Sequence, residues 1–419
     1  MSNARRESPP RVVVTGIGAV TPIGQGKQGL WDGVRRGVSA VRRVTCFDPA
    51  PFRSQIAAEI PDFEPEQWVP ARRARRMDRY SLLSLAAARQ AVEDACLKPT
   101  RNGAERVGVA IGSALGGVSF AEDEHERFLV RRRLRDVSPY LALAVFGGAG
   151  PSNIAIALGI HGPTLGNANS CASGTIAIGE AFELIRSGRA DVMLAGGAEA
   201  PLAPLTFGAF DLIRALSTRN DDPAHASRPF DRDRDGMVMG EGAAILVVEA
   251  LDHALARDAP IYAELVGYGT SNDAYHMVEP RPDGRDAARA MTLTLEQAGW
   301  RPEDVDYINA HGSSTPKNEI SEPLAIKRAL GEAAYDVPVS GTKGLHAHAL
   351  GASGAIEAAI VAQIFERDWL PPTTNLEHAD SDLAYIKGEG LNRRVDRILS
   401  NSFGFGGING VLAFQRFTP

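Results

Sequence analysis

The stretch GPTLGNANSCASGTIAIGEAFELIRSGRADVMLAGG, residues 162–197, decides the reading of the fold. It opens extended, turns through NSCASG, and continues with Ile178, Ala181, Phe182 and Ile185 at helical spacing up to Gly188, where a glycine suits a helix end. A short apolar run over 191–194 follows, closed by Gly196 and Gly197. Extended segment, turn, helix and buried strand in that order are one α/β unit.

Working outward, the pattern recurs. Residues 12–16 (VVVTG) and 107–111 (VGVAI) read as buried strands, the second ending in the small-residue turn GSALGG. Residues 80–96 and 176–187 read as amphipathic helices. A second series starts near Ala259: strand 262–266, helix 285–298, strand 305–310, helix 319–330, strand 337–341, helix 354–365, and a final unit opened by 397–401. The expected architecture is α/β, a duplicated unit with halves at 11–258 and 259–419 after a disordered tail over 1–10, packed as one body with no low-complexity linker.

Bulk properties narrow the function. The chain has 419 residues, 44% hydrophobic and 23% charged, with net charge −6, which gives no global attraction to nucleic acid. MSNARRESPP lacks the apolar core of a signal peptide. Residues 137–161 carry no formal charge, yet Gly147, Gly148, Gly150, Pro151, Ser152 and Asn153 break the run. A helix–bend–helix is expected there, and no membrane span. Cys46, Cys96 and Cys171 are far apart and form no C-x-x-C pair, so a reducing cytoplasm is the expected compartment.

Cys171 carries the chemical signal. It falls at or near a helix N-terminus, where unpaired N–H groups and the helix dipole favour a thiolate, and nearby glycines would expose the sulfur. Cys46 and Cys96 lack that turn and read as structural, Cys96 on a helical apolar face. His311 follows one expected strand, Lys343, His346 and His348 another, and the glycine-rich NSFGFGGING a third. Chemistry gathers beyond the carboxyl ends of strands in open α/β sheets, so these segments are expected to converge on Cys171. Singly, each histidine is more often a packed residue than a reactive one. No zinc-binding spacing is present, since His346 and His348 are only two residues apart.

The segments RVVVTGIGAVTPIG, ADVMLAGGAEA, ALSTRNDDPAHASRPFDRDRDGMVMGEGA, IYAELVGYGTSNDAYHM, NAHGSSTP, GTKGLHAHALGASGA and NSFGFGG together resemble the elongating β-ketoacyl-acyl carrier protein synthases (type II), over nearly the whole chain. The resemblance implies a thiolase-like fold of two pseudo-repeated halves in α-β-α-β-α layers. It implies decarboxylative condensation of an acyl group on Cys171 with malonyl-acyl carrier protein, in a cytoplasmic homodimer needing no organic cofactor or metal. By position, Cys171 matches the nucleophile, and His311 and His348 the catalytic histidines. Lys343 and Glu322 match a supporting charged pair, and Phe405 the pocket gate. Ser313 and Thr315 match the pantetheine contacts; Leu115, Phe210 and Phe403 match substrate-binding positions.

For carrier-protein docking the expected cations are Arg72, Arg75, Arg76, Arg132 and Arg214, drawn from the runs ARRARRMDR and VRRRLRD and one family contact position. Three departures bear on substrate range. His346-Ala347 replaces Thr-Gly, Ile408 replaces a common threonine, and AVFGGAGPSN lacks a family asparagine. Other readings are weaker: a non-condensing chain-length factor lacks the cysteine, a thiolase carries a second one near the carboxy terminus, and a carrier-binding scaffold needs no Cys-His-Lys-His set. A specialised polyketide or modified-lipid condensing enzyme is the alternative pathway.

Overall fold

The computed structural model describes residues 9–99 and 103–419, so most of the expected tail lies outside the described residues. The first half contributes β1 (Val12–Thr21), β2 (Val107–Gly112), β3 (Thr164–Asn167), β4 (Val192–Glu199) and β5 (Gly242–Ala250). The second contributes β6 (Ala263–Asn272), β7 (Tyr307–Asn309), β8 (Val339–Ser340), β9 (Arg397–Gly404) and β10 (Ile408–Gln415). The principal helices are α1 (Arg79–Asp94), α2 (Val118–Arg131), α3 (Ala149–Leu158), α4 (Ser173–Arg186), α5 (Pro204–Leu212), α6 (Arg285–Ala298), α7 (Asn318–Leu330) and α8 (Ser353–Arg367).

Strand order makes the duplication explicit. The sheet runs β8-β7-β9-β10-β6-β1-β5-β4-β2-β3. Read outward from the centre, each half places its first, fifth, fourth, second and third strand in turn, with two antiparallel pairings followed by two parallel ones in both. The halves join through a short antiparallel ladder, Val12–Val14 against Ala263–Leu265. Even the irregularities repeat: β1 is bulged between Val14 and Gly16 against β5, and β6 between Leu265 and Gly267 against β10. Both bulge glycines lie under a helix. A Cβ on Gly16 would meet Ala91 O of α1 at 2.3 Å, and one on Gly267 would meet Thr294 O of α6 at 2.5 Å.

Side-chain alternation builds the layers. Along β4 and β5, Met193, Ala195, Leu246 and Val248 face a central core shared with α4 and α8, while Leu194, Ile245 and Val247 face an outer core under α1. In the second half Leu412 and Phe414 point to the central core, and Val411 and Ala413 to an outer core under α6 and α7. The result is α-β-α-β-α. α8 is buried at every position from Ser353 to Phe365, which is why its sequence reads as apolar all round. The uncharged 137–161 segment is a helix–bend–helix, with a short turn at Leu141–Ala144 before α3. Among the described residues no helix is long and apolar enough to cross a membrane.

Candidate active site

Cys171 occupies a 3-10 turn, Ser170–Ala172, that leads into α4. The turn does not use the neighbouring glycines: Ser170 itself adopts φ 53, a left-handed conformation that non-glycine residues seldom hold without support. The support is local, since Ser173 Oγ donates to Ser170 O at 2.6 Å. Cys171 is buried in an apolar cluster with Leu115, Phe207, Phe210, Leu350 and Phe405, and Phe210 stacks on Phe405 with ring centroids 6.0 Å apart.

Burial corrects the expectation of a resting thiolate. Dehydration pushes the Cys171 thiol above its ordinary range; the Ser170 hydroxyl, the Lys343 charge and the Phe405 N–H oppose it without prevailing. The placement of Cys96 is also corrected: it is exposed, because it lies just past the end of α1 with φ 50 rather than on its apolar face. Cys46 is exposed as well.

His311 and His348 face one another edge-on, ring centroids 5.3 Å apart, with Phe403 tilted 6.1 Å from His311. His348 is pinned by its backbone to the first half: its N–H donates to Val238 O at 2.8 Å and its carbonyl accepts from Gly240 N at 3.0 Å. Ser353 Oγ lies 2.8 Å from His348 Nδ1, and a hydroxyl donating there leaves the proton on Nε2. Burial, the Lys343 charge and the neighbouring histidine depress His311 well below the usual imidazole range. Burial, Lys343 and His346 do the same to His348. Both rings are therefore neutral donors at neutral pH.

Lys343 is fully buried, and its ion pair corrects the expected partner. Nζ meets Glu357 Oε1 of α8 at 2.5 Å and also donates to the carbonyl of His311. Glu322 is committed elsewhere: it accepts from the backbone N–H of His311 at 2.7 Å and of Gly312 at 3.0 Å, and from Asn318 Nδ2 at 3.0 Å. The two residues thus grip the His311 loop from opposite ends of its peptide groups. His346 is buried and bonds Thr342 through Nε2 at 3.0 Å, with its pKa lowered by burial to about 3. Ser313 Oγ lies 2.9 Å from Thr315 Oγ1.

Two acids at the site were not singled out from the sequence, Glu357 and Glu199. Each had a signal: a single carboxylate inside an apolar run, GAIEAAIVAQIF and VMLAGGAEAPLAP, where a buried charge must find partners. Burial raises both carboxyls to about 7.

The cationic runs separate in the structure. Arg72, Arg75, Arg132 and Arg214 are exposed, whereas Arg76 is half-buried with its guanidinium 4.7 Å from the Tyr140 ring. Arg73 and Arg79 are spent internally: Arg73 donates to Asn153 O at 3.1 Å, and Arg79 pairs with Glu241 at 2.6 Å. Among the described residues no cluster of His, Cys, Asp and Glu is arranged to hold a metal.

Comparison with known proteins agrees with this geometry. Residues 10–254 match the family model described as Beta-ketoacyl synthase, N-terminal domain, and residues 262–377 the corresponding C-terminal domain. The chain is 46% identical to 3-oxoacyl-[acyl-carrier-protein] synthase 2 of Synechocystis sp. and 43% identical to that of Staphylococcus aureus, each over 97% of this chain and 98% of the relative. Among solved structures, a beta-ketoacyl synthase from Burkholderia phymatum is 37% identical with TM-score 0.90, covering 98% of this chain and 100% of that one. A ketosynthase bound to the hexaketide, in complex with its type II polyketide acyl-carrier protein, is 35% identical with TM-score 0.90 and the same coverage.

Proposed function

We infer that this chain, which belongs to the β-ketoacyl synthase family, is a 3-oxoacyl-[acyl-carrier-protein] synthase that extends acyl chains by decarboxylative condensation with malonyl-acyl carrier protein. The observation that carries the reading is a pair of neutral, mutually facing imidazoles, His311 and His348, sharing the buried Lys343 field with Cys171. Fatty-acid elongation is favoured over polyketide assembly by the higher identity, 46% against 35%.

In the first half-reaction the Cys171 sulfur attacks the carrier thioester; the departing carrier thiol takes the proton, leaving acyl-Cys171. The raised thiol pKa makes this transfer depend on the substrate's arrival. Malonyl-carrier protein then loses carbon dioxide, and its thioester oxygen becomes an enolate held by N–H donors of His311 and His348. A neutral donor strengthens its hydrogen bond as that charge develops. The enolate carbon attacks the acyl carbonyl, the oxyanion is held by the N–H groups of Cys171 and Phe405, and collapse expels the cysteine thiolate. Glu322 and Lys343 position the His311 loop, and Ser313 and Thr315 are placed to meet the pantetheine arm.

Histidine neutrality gives a pH signature. Malonyl decarboxylation, measured in Cys171→Ala protein to isolate it, is expected to change by less than about twofold from pH 8 to pH 6; imidazoles with ordinary pKa near 6.5 would lose about three quarters of the neutral form over that range. A steep fall centred on pH 6.5 would contradict the assignment.

Arg72, Arg75, Arg76, Arg132 and Arg214 form the proposed docking surface for the acidic carrier protein, by local charge complementarity on a net acidic enzyme. The proposed homodimer would cover edge strand β3, where Leu165 is exposed, as are Phe146 and Ile156; an open apolar sheet edge calls for a cover. Gly166 of that strand abuts the AVFGGAGPSN turn, with its Cβ position 2.8 Å from Gly147 O. Three free cysteines suit a cytoplasmic setting.

Acyl-carrier proteins of graded length test the reading: each should leave a covalent acyl adduct on Cys171, weighed by mass. Each buried methylene contributes about 0.8 kcal/mol until the chain meets a wall. Chains beyond eight carbons are expected to be accepted, and Leu115→Phe to shift preference to short ones at about 1–3 kcal/mol of overpacking. Adducts absent from Cys171 would refute the function; an unchanged preference in Leu115→Phe would move the pocket elsewhere.

A further inference from the structure

The halves repeat the site as well as the sheet. Turn Ser170–Ala172 leads into α4, and turn Leu350–Ala352 leads into α8. Each starts on a non-glycine residue with positive φ, 53 at Ser170 and 40 at Leu350, and Ala-Ser-Gly follows in both. Gly351 therefore stands where Cys171 stands. Strand registers extend the match. Glu199 pairs with Gly242 in the first half, Gly404 with Ile408 in the second, at the same distance from the equivalent bulges. Glu199 occupies the position of Gly404, the residue before the Phe405 amide.

The two corners are used in opposite ways. At the reactive corner the side chain is missing: a Cβ on Gly404 would lie 3.0 Å from Cys171 N. At the other corner the Glu199 carboxylate fills the space. Its Oε2 accepts from Gly351 N at 2.9 Å and Ala114 N at 2.6 Å; its Oε1 accepts from Ser113 Oγ at 2.9 Å and Leu115 N at 3.2 Å. A Cβ on Gly351 would come within 2.7 Å of Glu199 Oε2, so the carboxylate and a nucleophile side chain exclude each other. An internal carboxyl group takes up the kind of amide donors that the reactive corner offers to a substrate oxygen.

We propose that Glu199 is a positioning residue for acyl-chain selection: by tying the amides of Ala114 and Leu115 to that of Gly351, it fixes Leu115 relative to Cys171 and so sets where the acyl pocket ends. The inference rests on the reading of this chain as an acyl-loaded condensing enzyme. Glu199 touches no reacting atom and acts through the turn. Both carboxylate oxygens face two donors each, so an amide in its place must turn an NH2 toward N–H groups. With the amide oxygen retained by Ala114 and Gly351, the Ser113 hydroxyl can rotate to accept, but the Leu115 N–H cannot, and Leu115 is released.

The test compares full-length wild-type protein, Glu199→Gln and Glu199→Asp for the rate at which eight- and fourteen-carbon acyl-carrier proteins load Cys171. In Glu199→Gln the fourteen-to-eight ratio is expected to change about tenfold or more, as loss of one buried hydrogen bond implies, with malonyl decarboxylation within about twofold of wild type. Glu199→Asp, which keeps both carboxyl oxygens on a shorter arm, should fall between. A folded Glu199→Gln protein with the wild-type ratio overturns the proposal, as does a loss that strikes both lengths and decarboxylation equally. Should Glu199→Gln fail to fold, a wild-type ratio in Glu199→Asp overturns it. Wild-type protein that takes no acyl group on Cys171 would fail the functional reading itself, a result distinct from normal loading with an unaltered ratio.

Discussion

Cys171→Ala is expected to lower condensation by about four orders of magnitude or more while malonyl-carrier protein continues to lose carbon dioxide. Removing a nucleophile that acts as part of a unit abolishes the unit's contribution, and neither other thiol stands beside the histidines: Cys96 is exposed past the end of α1, and Cys46 is exposed with its Sγ on Leu202 O. Decarboxylation asks only for donors at the enolate oxygen, and His348 is held by Val238, Gly240 and Ser353, none of which involves the cysteine. His311 is likewise held through Glu322 and Lys343. In His348→Ala the pattern should reverse, with Cys171 acylated and decarboxylation reduced about 10²-fold or more. Carbon dioxide release and covalent acylation are scored on the same preparations. Condensation surviving in Cys171→Ala, or decarboxylation disappearing with the sulfur, would show that the two half-reactions are not divided this way.

The fold was legible because two periods alternate along the chain. Helix 285–298 reads from spacing alone, since its buried Ala287, Ala288, Met291 and Leu295 recur at helical intervals. The short strands read slightly long at their ends: 305–310 and 337–341 contain β7 and β8, and single sheet hydrogen bonds from Asp306 N to Arg397 O and from Ala310 N to Ser340 O carry the pairing just past β7. The duplication was legible as order and length, but not as sequence. Its clearest echo, Ala-Ser-Gly after Cys171 and after Gly351, is three residues long and becomes visible only when both turns are seen to start helices. At the site, residue identity suggested Cys171, His311, Lys343 and His348, but not their electrostatics. A helix N-terminus predicts an easily ionised thiol; complete burial, which no local pattern reveals, raises it instead. The choice between Glu322 and Glu357 as the partner of Lys343 is hidden for the same reason, because both acids are buried and only packing shows whose oxygens the backbone claims.

Lys343→Met should separate what that lysine does for stability from what it does for the sulfur. Its ammonium and Glu357 are both fully buried, and the Glu357 carboxyl, raised to about 7 even beside that ammonium, is left without its partner, either unpaired or forced to take up a proton, at a cost of about 3–5 kcal/mol. The thermal midpoint is therefore expected to fall by about 5 °C or more. The double variant Lys343→Met/Glu357→Gln removes both charges and should regain most of that loss, since replacing a buried pair outright is often near neutral. The sulfur should behave differently. Lys343 is one of the influences drawing the Cys171 pKa down, and it also helps hold His311 and His348 down. Without it the thiol titrates at higher pH in the single and the double variant alike, because both lack the positive charge. Alkylation of Cys171 by iodoacetamide across pH measures this directly: its midpoint should move upward in both proteins while only the single variant is markedly less stable. A double variant that recovers stability and also returns the alkylation profile to that of wild type would mean Lys343 acts on Cys171 through packing alone. An upward shift that persists in a protein of restored stability can only come from the lost charge, and it assigns to a residue that touches no substrate the task of keeping the nucleophile within reach of ionisation.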